Sequence, residues 1–320
     1  MKNLIFFTLL FILSGMQMLS SQDINELNKQ ANIERMNGNY QKAIELSTST
    51  LEKKLNVISF YIRAFSLSKI SKFAEALKDC ESAISYPAGG MLETFEKGDI
   101  YFLKGYCLQM LGKCEEAVGA YETAENIIRR ENAVALYSNL GLCYLKLQKY
   151  EHADFFYDKA IERSEKNSEK ESYWAVRGDC MFNLEKWYLA DSFYTRATQF
   201  GLQDYPVYWN MATCRLKNGK VIDMFGDSTE IEFHNWGIIN CYKTATLIIQ
   251  KDIKANKASD KQVRDISLIY FDQASFCFSV GKYDLASAAL DHSLKYGKLS
   301  KTTALYDKID KLKEDIKEAK

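Results

Sequence analysis

The sequence predicts an all-α solenoid of about seven helical hairpins closed by one further helix, and three observations carry that expectation. Proline, which breaks helices, occurs only 2 times, against 20 tyrosines and 18 phenylalanines that can pack helix on helix. A phrase made of a tight polar turn, an aromatic residue two positions on and an alanine three further recurs along the chain. Ahead of each turn, a second phrase sets a large residue, a residue three later and a small one at helical spacing.

In chain order, the turn phrase occurs at Gly38-Asn39-Tyr40 with Ala43, Ser71-Lys72-Phe73 with Ala76, and Gly112-Lys113-Cys114 with Ala117. It returns at Gln148-Lys149-Tyr150 with Ala153, Glu185-Lys186-Trp187 with Ala190, and Gly281-Lys282-Tyr283 with Ala286. Successive alanines are 33, 41, 36 and 37 residues apart, and the last interval is 96. That interval has room for one more unit, with a first helix through Tyr208, Met211 and Ala212, a turn at Asn218-Gly219-Lys220, and a second helix resuming near Ile238 with Tyr242 and Ala245. The preceding phrase is clearest at Tyr137-x-x-Leu140-Gly141-x-x-Tyr144 with Ala153-x-x-x-Tyr157. Trp174-x-x-Arg177-Gly178 with Ala190-x-x-x-Tyr194, and Tyr101-x-x-Lys104-Gly105 with Ala117-x-x-x-Tyr121, follow it closely. The small residues let antiparallel helices approach, and the rings fill the grooves between hairpins. One hairpin cannot bury its own apolar face, so stability comes from stacking.

Over residues 24–300 these phrases resemble the tetratricopeptide repeat, W-x-x-L-G-x-x-Y followed by A-x-x-x-F. The resemblance implies a right-handed superhelix whose first helices line a concave groove holding a peptide or protein partner. On the matching faces stand Tyr61 and Phe65, Phe102 and Tyr106, Asp179 and Phe182, Trp209 and Thr213, and Phe271 with Phe278. That surface is aromatic and suits an apolar or extended segment. Some family members grip a terminal carboxylate with lysines, arginines and asparagines. Only Asn28 and Asn32 match here, so no such clamp is expected.

The pattern weakens at both ends, where Glu34 stands at an apolar position and Cys277 and Leu290 replace aromatics. Beyond Ser300, Leu305, Ile309, Leu312 and Ile316 form the apolar stripe of a capping helix over residues 301–320. Three stretches exceed what the repeats need: Pro87 to Lys97, a lysine-rich connector at 251–266, and Asp223 to Trp236 inside the sixth unit. The last is expected to be a loop, with Asp227, Glu230, Glu232 and His234 beside Phe225, Phe233 and Trp236. It is expected to decorate the surface or to touch a partner through its three aromatic residues. A second reading makes it the site of a metal-binding protein or metal-assisted enzyme, although its spacing matches no known metal loop.

Catalytic patterns for zinc, acyl-transfer or phosphate chemistry are absent, and only three histidines occur, His152, His234 and His292. Ser66-Leu67-Ser68-Lys69 matches S-x-x-K without its companion motifs. The expectation is a non-catalytic scaffold or adaptor, without cofactor or metal. The 42 basic and 42 acidic residues balance, with no basic cluster, which argues against nucleic acid. Met1-Lys2-Asn3, the apolar run Leu4 to Leu13 and the small residues at Ser20-Ser21 have the order of a secretory signal spanning residues 1–21. Removal near Ser21-Gln22 would leave a periplasmic or secreted protein with no membrane span; the alternative is an uncleaved anchor extending through Leu19. The cysteines at 107, 143, 180 and 214 hold equivalent positions in successive first helices, a helix-packing distance of roughly 8–10 Å apart. A disulfide needs Cα atoms within about 7 Å, so these are expected to be buried fillers, with Cys107 and Cys114 the pair to except.

Overall fold

The computed structural model describes residues 21–86, 97–127, 133–225, 228–300 and 305–320, and leaves the side chains of 21, 22, 220–231 and 233 undescribed. Residues 1–20 of the expected signal and most of the Pro87 to Lys97 stretch therefore lie outside the described residues. Among the described residues there are fifteen helices and no strand.

The chain divides into two compact units, residues 1–148 and 149–320. The first contains α1 (Ser21–Met36), α2 (Tyr40–Lys53), α3 (Val57–Lys69), α4 (Phe73–Ser85), α5 (Lys97–Met110), α6 (Cys114–Glu125) and α7 (Ala133–Lys146). The second contains α8 (Tyr150–Arg163), α9 (Asn167–Asn183), α10 (Trp187–Gln199), α11 (Tyr205–Phe225), α12 (Ser228–Lys254), α13 (Asp260–Ser279), α14 (Tyr283–Ser300) and α15 (Tyr306–Ala319). Within each unit every helix packs on the next, which is the architecture of an all-α solenoid.

The turn phrase works through one backbone position. Gly38, Ser71, Gly112, Gln148, Glu185 and Gly281 all have left-handed φ values, between 56° and 81°. The N–H of the following residue then reaches a carbonyl five positions back, as in Lys72 to Leu67 (2.9 Å), Lys186 to Met181 (2.9 Å) and Lys282 to Cys277 (2.8 Å). This bond closes the first helix and reverses the chain. The residue that comes next, aromatic except at Cys114, opens the second helix, and the alanines at 43, 76, 117, 153, 190 and 286 are fully buried. Between the helices of a hairpin the approach is closer still. A Cβ on Gly105 would lie 2.7 Å from the Tyr121 ring, and one on Gly178 only 2.4 Å from the Tyr194 ring. Both tyrosines are wholly buried.

The sixth hairpin corrects two expectations. Asn218-Gly219-Lys220 is not a turn: α11 runs through it to Phe225. The residues expected to form a loop at 223–236 instead end α11 and, from Ser228, open α12, a helix of 27 residues. Gly219 explains the error, because a Cβ there would lie 3.0 Å from the His234 ring, so this glycine serves close packing rather than reversal. The connector at 251–266 likewise shrinks, since α12 extends to Lys254 and α13 starts at Asp260, capped by reciprocal Ser259 and Gln262 bonds. At the C-terminus α15 buries Ile309, Leu312 and Ile316.

Candidate functional site

The first unit gathers four of the expected groove residues. Tyr61 and Phe65 from α3, Phe102 and Tyr106 from α5, and Ala135 and Asn139 from α7 line a cavity of about 350 Å³. All three helices are first helices of their hairpins. Ser68, Lys69 and Asp99 complete the wall.

The rings are held by neighbours rather than left loose. Tyr61 and Phe65 meet at 6.3 Å between centroids, Tyr106 takes Phe73 edge-on at 6.0 Å, and Phe102 tilts against Tyr121 at 5.7 Å. Two cations face Phe65, the Arg35 guanidinium at 4.7 Å and the Lys69 ammonium at 5.1 Å from its centroid. Burial, helped by the Asp99 carboxylate, pushes the Tyr61 hydroxyl up to about 12, so it stays a neutral hydrogen-bonding group at physiological pH. The cavity thus offers apolar walls with a basic flank and one acid. Lys69, Asp99 and Asn139 were not among the expected residues, yet Lys69 follows Phe65 by four and Asp99 precedes Phe102 by three, on the same helix faces.

In the second unit the expected groove residues are engaged by neighbouring side chains. Asp179 accepts from the Tyr194 hydroxyl at 2.7 Å, and that hydroxyl accepts from Asn210 at 3.2 Å. Trp209 donates to Asp272 at 2.9 Å, while Thr213 bonds the Trp209 carbonyl within its own helix. Phe182 packs edge-on against Trp187 at 5.2 Å and Phe278 tilts against Tyr283 at 5.8 Å, and both rings are half-buried. Phe271 is half-buried on α13.

The residues of the expected loop separate similarly. Trp236 is exposed on α12, with the Lys282 ammonium 4.7 Å from its ring, while the side chains of Phe225 and Phe233 lie outside the described residues. His234 donates through Nε2 to the Arg215 carbonyl at 2.9 Å, a structural bond. Ser66 donates to the Ile62 carbonyl at 2.8 Å, which turns its hydroxyl into its own helix and removes the S-x-x-K reading. Asn28 is likewise structural, bonded to Asn56 and Ser59.

Four carboxyls of the second unit, those of Asp179, Asp191, Asp204 and Asp272, are raised above the ordinary carboxylate value of 3.8, each chiefly by burial. Each is protonated more readily folded than unfolded. Their contribution is therefore full below about 3.8 and is lost as pH rises through the raised values. Glu34, Glu169 and Asp284 are lowered by surface partners and act with the opposite sign at lower pH, but they are exposed and screened. On acidification toward about pH 4 the melting temperature is expected to rise, with Asp272→Asn flattening the change. A melting temperature that falls on this acidification would contradict the assignment.

A family model for the tetratricopeptide repeat matches residues 134–167, the length of one whole repeat. Residues 134–167 thus carry a tetratricopeptide repeat. The chain aligns with the C-terminal part of a tetratricopeptide repeat-containing protein from Cytophaga hutchinsonii at a TM-score of 0.62 and 17% identity, covering 84% of this chain and 95% of that one. Pseudomonas aeruginosa pilF aligns at 0.47 and 16%, covering 73% and 97%. YrrB, described as a tetratricopeptide-repeat protein with an unusual peptide-binding site, aligns at 0.47 and 18%, covering 65% and 91%. No curated protein sequence matches the chain.

Proposed function

We propose that this chain is an exported, non-catalytic tetratricopeptide-repeat scaffold that takes an extended peptide segment of a protein partner between α3, α5 and α7. The observation that carries this reading is the convergence of Tyr61, Phe65, Phe102 and Tyr106 on one cavity of about 350 Å³. Aromatic walls already packed in place lose little freedom on binding and supply the desolvated anchor sites where interface energy concentrates. The cations at Phe65 favour a segment carrying an acidic residue beside its apolar anchor. Export rests on the charge, apolar run and small residues of the first 21 positions.

Peptides selected from a random library against the full chain should be rich in apolar anchors flanked by Asp or Glu. Combining Phe65→Ala with Phe102→Ala should weaken them by about tenfold or more while the circular dichroism spectrum stays helical. Equal affinity of the double variant would sink the groove. Fractionation of cells producing the full chain tests export separately, and a full-length cytosolic product would overturn it.

A further inference from the structure

The cavity of the first unit has two unlike ends. Tyr61 stands ten residues ahead of the left-handed Ser71 that closes α3, and Phe102 ten ahead of the left-handed Gly112 that closes α5. Phe65 and Tyr106 each stand six ahead of the same two residues. α3 packs on α5 and α5 on α7, and first helices run in the same direction, so equal counts put side chains at one height. The four rings therefore form two rungs across the cavity.

Charge sits beyond each rung. Asp99 stands thirteen residues ahead of Gly112, about a turn before the first rung, and Lys69 two ahead of Ser71, about a turn past the second. Among the described residues of the lining, Asp99 is the acid and Lys69 the base. Arg35, three ahead of the left-handed Gly38, reinforces the basic end, since its guanidinium faces the same Phe65 ring as the Lys69 ammonium. The other charges of α3 and α5 are turned elsewhere: Arg63 to Asp79 at 2.7 Å, Lys104 to Glu81 at 3.7 Å, and Lys97 to the Tyr101 ring at 5.9 Å. The eleven residues between the heights of Asp99 and Lys69 correspond to roughly 16 Å along the helices.

We propose that the cavity selects a segment with two opposite charges: a basic side chain at the Asp99 end, apolar side chains on the two rungs, and an acidic side chain at the Lys69 end. An extended chain advances about 3.3 Å per residue, so the two charges fall about five positions apart. Asp99 and Lys69 are thus specificity-determining residues of the peptide site between α3, α5 and α7, on which reading this inference rests. A segment with the same charge at both ends meets repulsion at one of them.

The test selects a random peptide library against the full chain, against Asp99→Lys, and against Phe65→Ala combined with Phe102→Ala, each confirmed helical by circular dichroism. The full chain should enrich segments with Lys or Arg and Asp or Glu about five positions apart, on either side of apolar residues. Asp99→Lys should lose the basic residue and gain a second acidic one in its place. In a selected segment, replacing the basic residue by Gln should weaken binding to the parent about threefold and leave binding to Asp99→Asn unchanged. That conservative variant also serves if Asp99→Lys does not fold. Segments that need Phe65 and Phe102 yet contain no basic residue at that spacing, or keep it against Asp99→Lys, would overturn the charge assignment and leave the aromatic site standing. Enrichment indifferent to Phe65 and Phe102, or none at all, would remove the site itself and this proposal with it.

Discussion

Gly178→Ala lowers stability by about 2 kcal/mol, although glycine-to-alanine in the middle of a helix ordinarily adds about 1 kcal/mol. The new methyl would stand 2.4 Å from two carbons of the Tyr194 ring. That ring cannot give way cheaply, being fully buried, with its hydroxyl tied to Asp179 at 2.7 Å and to Asn210 at 3.2 Å. Gly119 is the internal control, since a Cβ there meets nothing within 4 Å. Gly119→Ala should therefore raise the melting temperature while Gly178→Ala lowers it. Thermal melts followed by circular dichroism check both, and a Gly178→Ala protein as stable as the parent would refute the close-approach account.

Arg177→Ala should cost about 3 kcal/mol. The Arg177 side chain is 9% exposed and pairs with Asp154 at 2.6 Å and with Asp158. Its guanidinium also lies 4.8 Å from the Trp174 ring centroid and 4.3 Å from that of Phe193. Truncation strands Asp154, 21% exposed, while Asp158, at 49%, recovers most of its hydration, which holds the loss near the lower end for a broken buried pair. Arg177→Lys keeps the charge but loses the planar fork that is stacked on the rings, so it should recover less than half of the loss. Denaturant titration measures both, and an Arg177→Ala protein within 0.5 kcal/mol of the parent would sink the argument. Because Arg177 and Gly178 are adjacent, the two effects need not add.

The hairpins were legible because their turn leaves a local mark. A left-handed residue, a lysine or asparagine and an aromatic recur in order, and each alanine three beyond the aromatic is buried. The sixth unit was misread because glycine has two uses that look alike in sequence. Gly38 and Gly112 supply a positive φ, whereas Gly219 makes room for His234 inside a continuous helix.

Face assignment picks out Tyr61, Phe65, Phe102 and Tyr106, which line one cavity, but helical spacing does not distinguish such a ring from one packing across its own hairpin. Phe182 against Trp187 and Phe278 against Tyr283 are of the second kind. The cysteines were legible: Cys107, Cys143, Cys180 and Cys214, at equivalent positions of successive first helices, are buried free thiols.

The reversal at Gly38, Ser71, Gly112, Gln148, Glu185 and Gly281 has a bearing on how such a chain can change length. Its bonds are confined to the last turn of one helix and the first residues of the next, and it keeps one form whether the left-handed residue is Gly, Ser or Glu. The joins between hairpins obey no such rule, from the three residues between α2 and α3 to the eleven between α4 and α5. Duplication or loss of a hairpin would leave every reversal whole and alter only a join. The unit of inheritance in this architecture is therefore the closed hairpin, and the tolerance for gain or loss resides in what lies between.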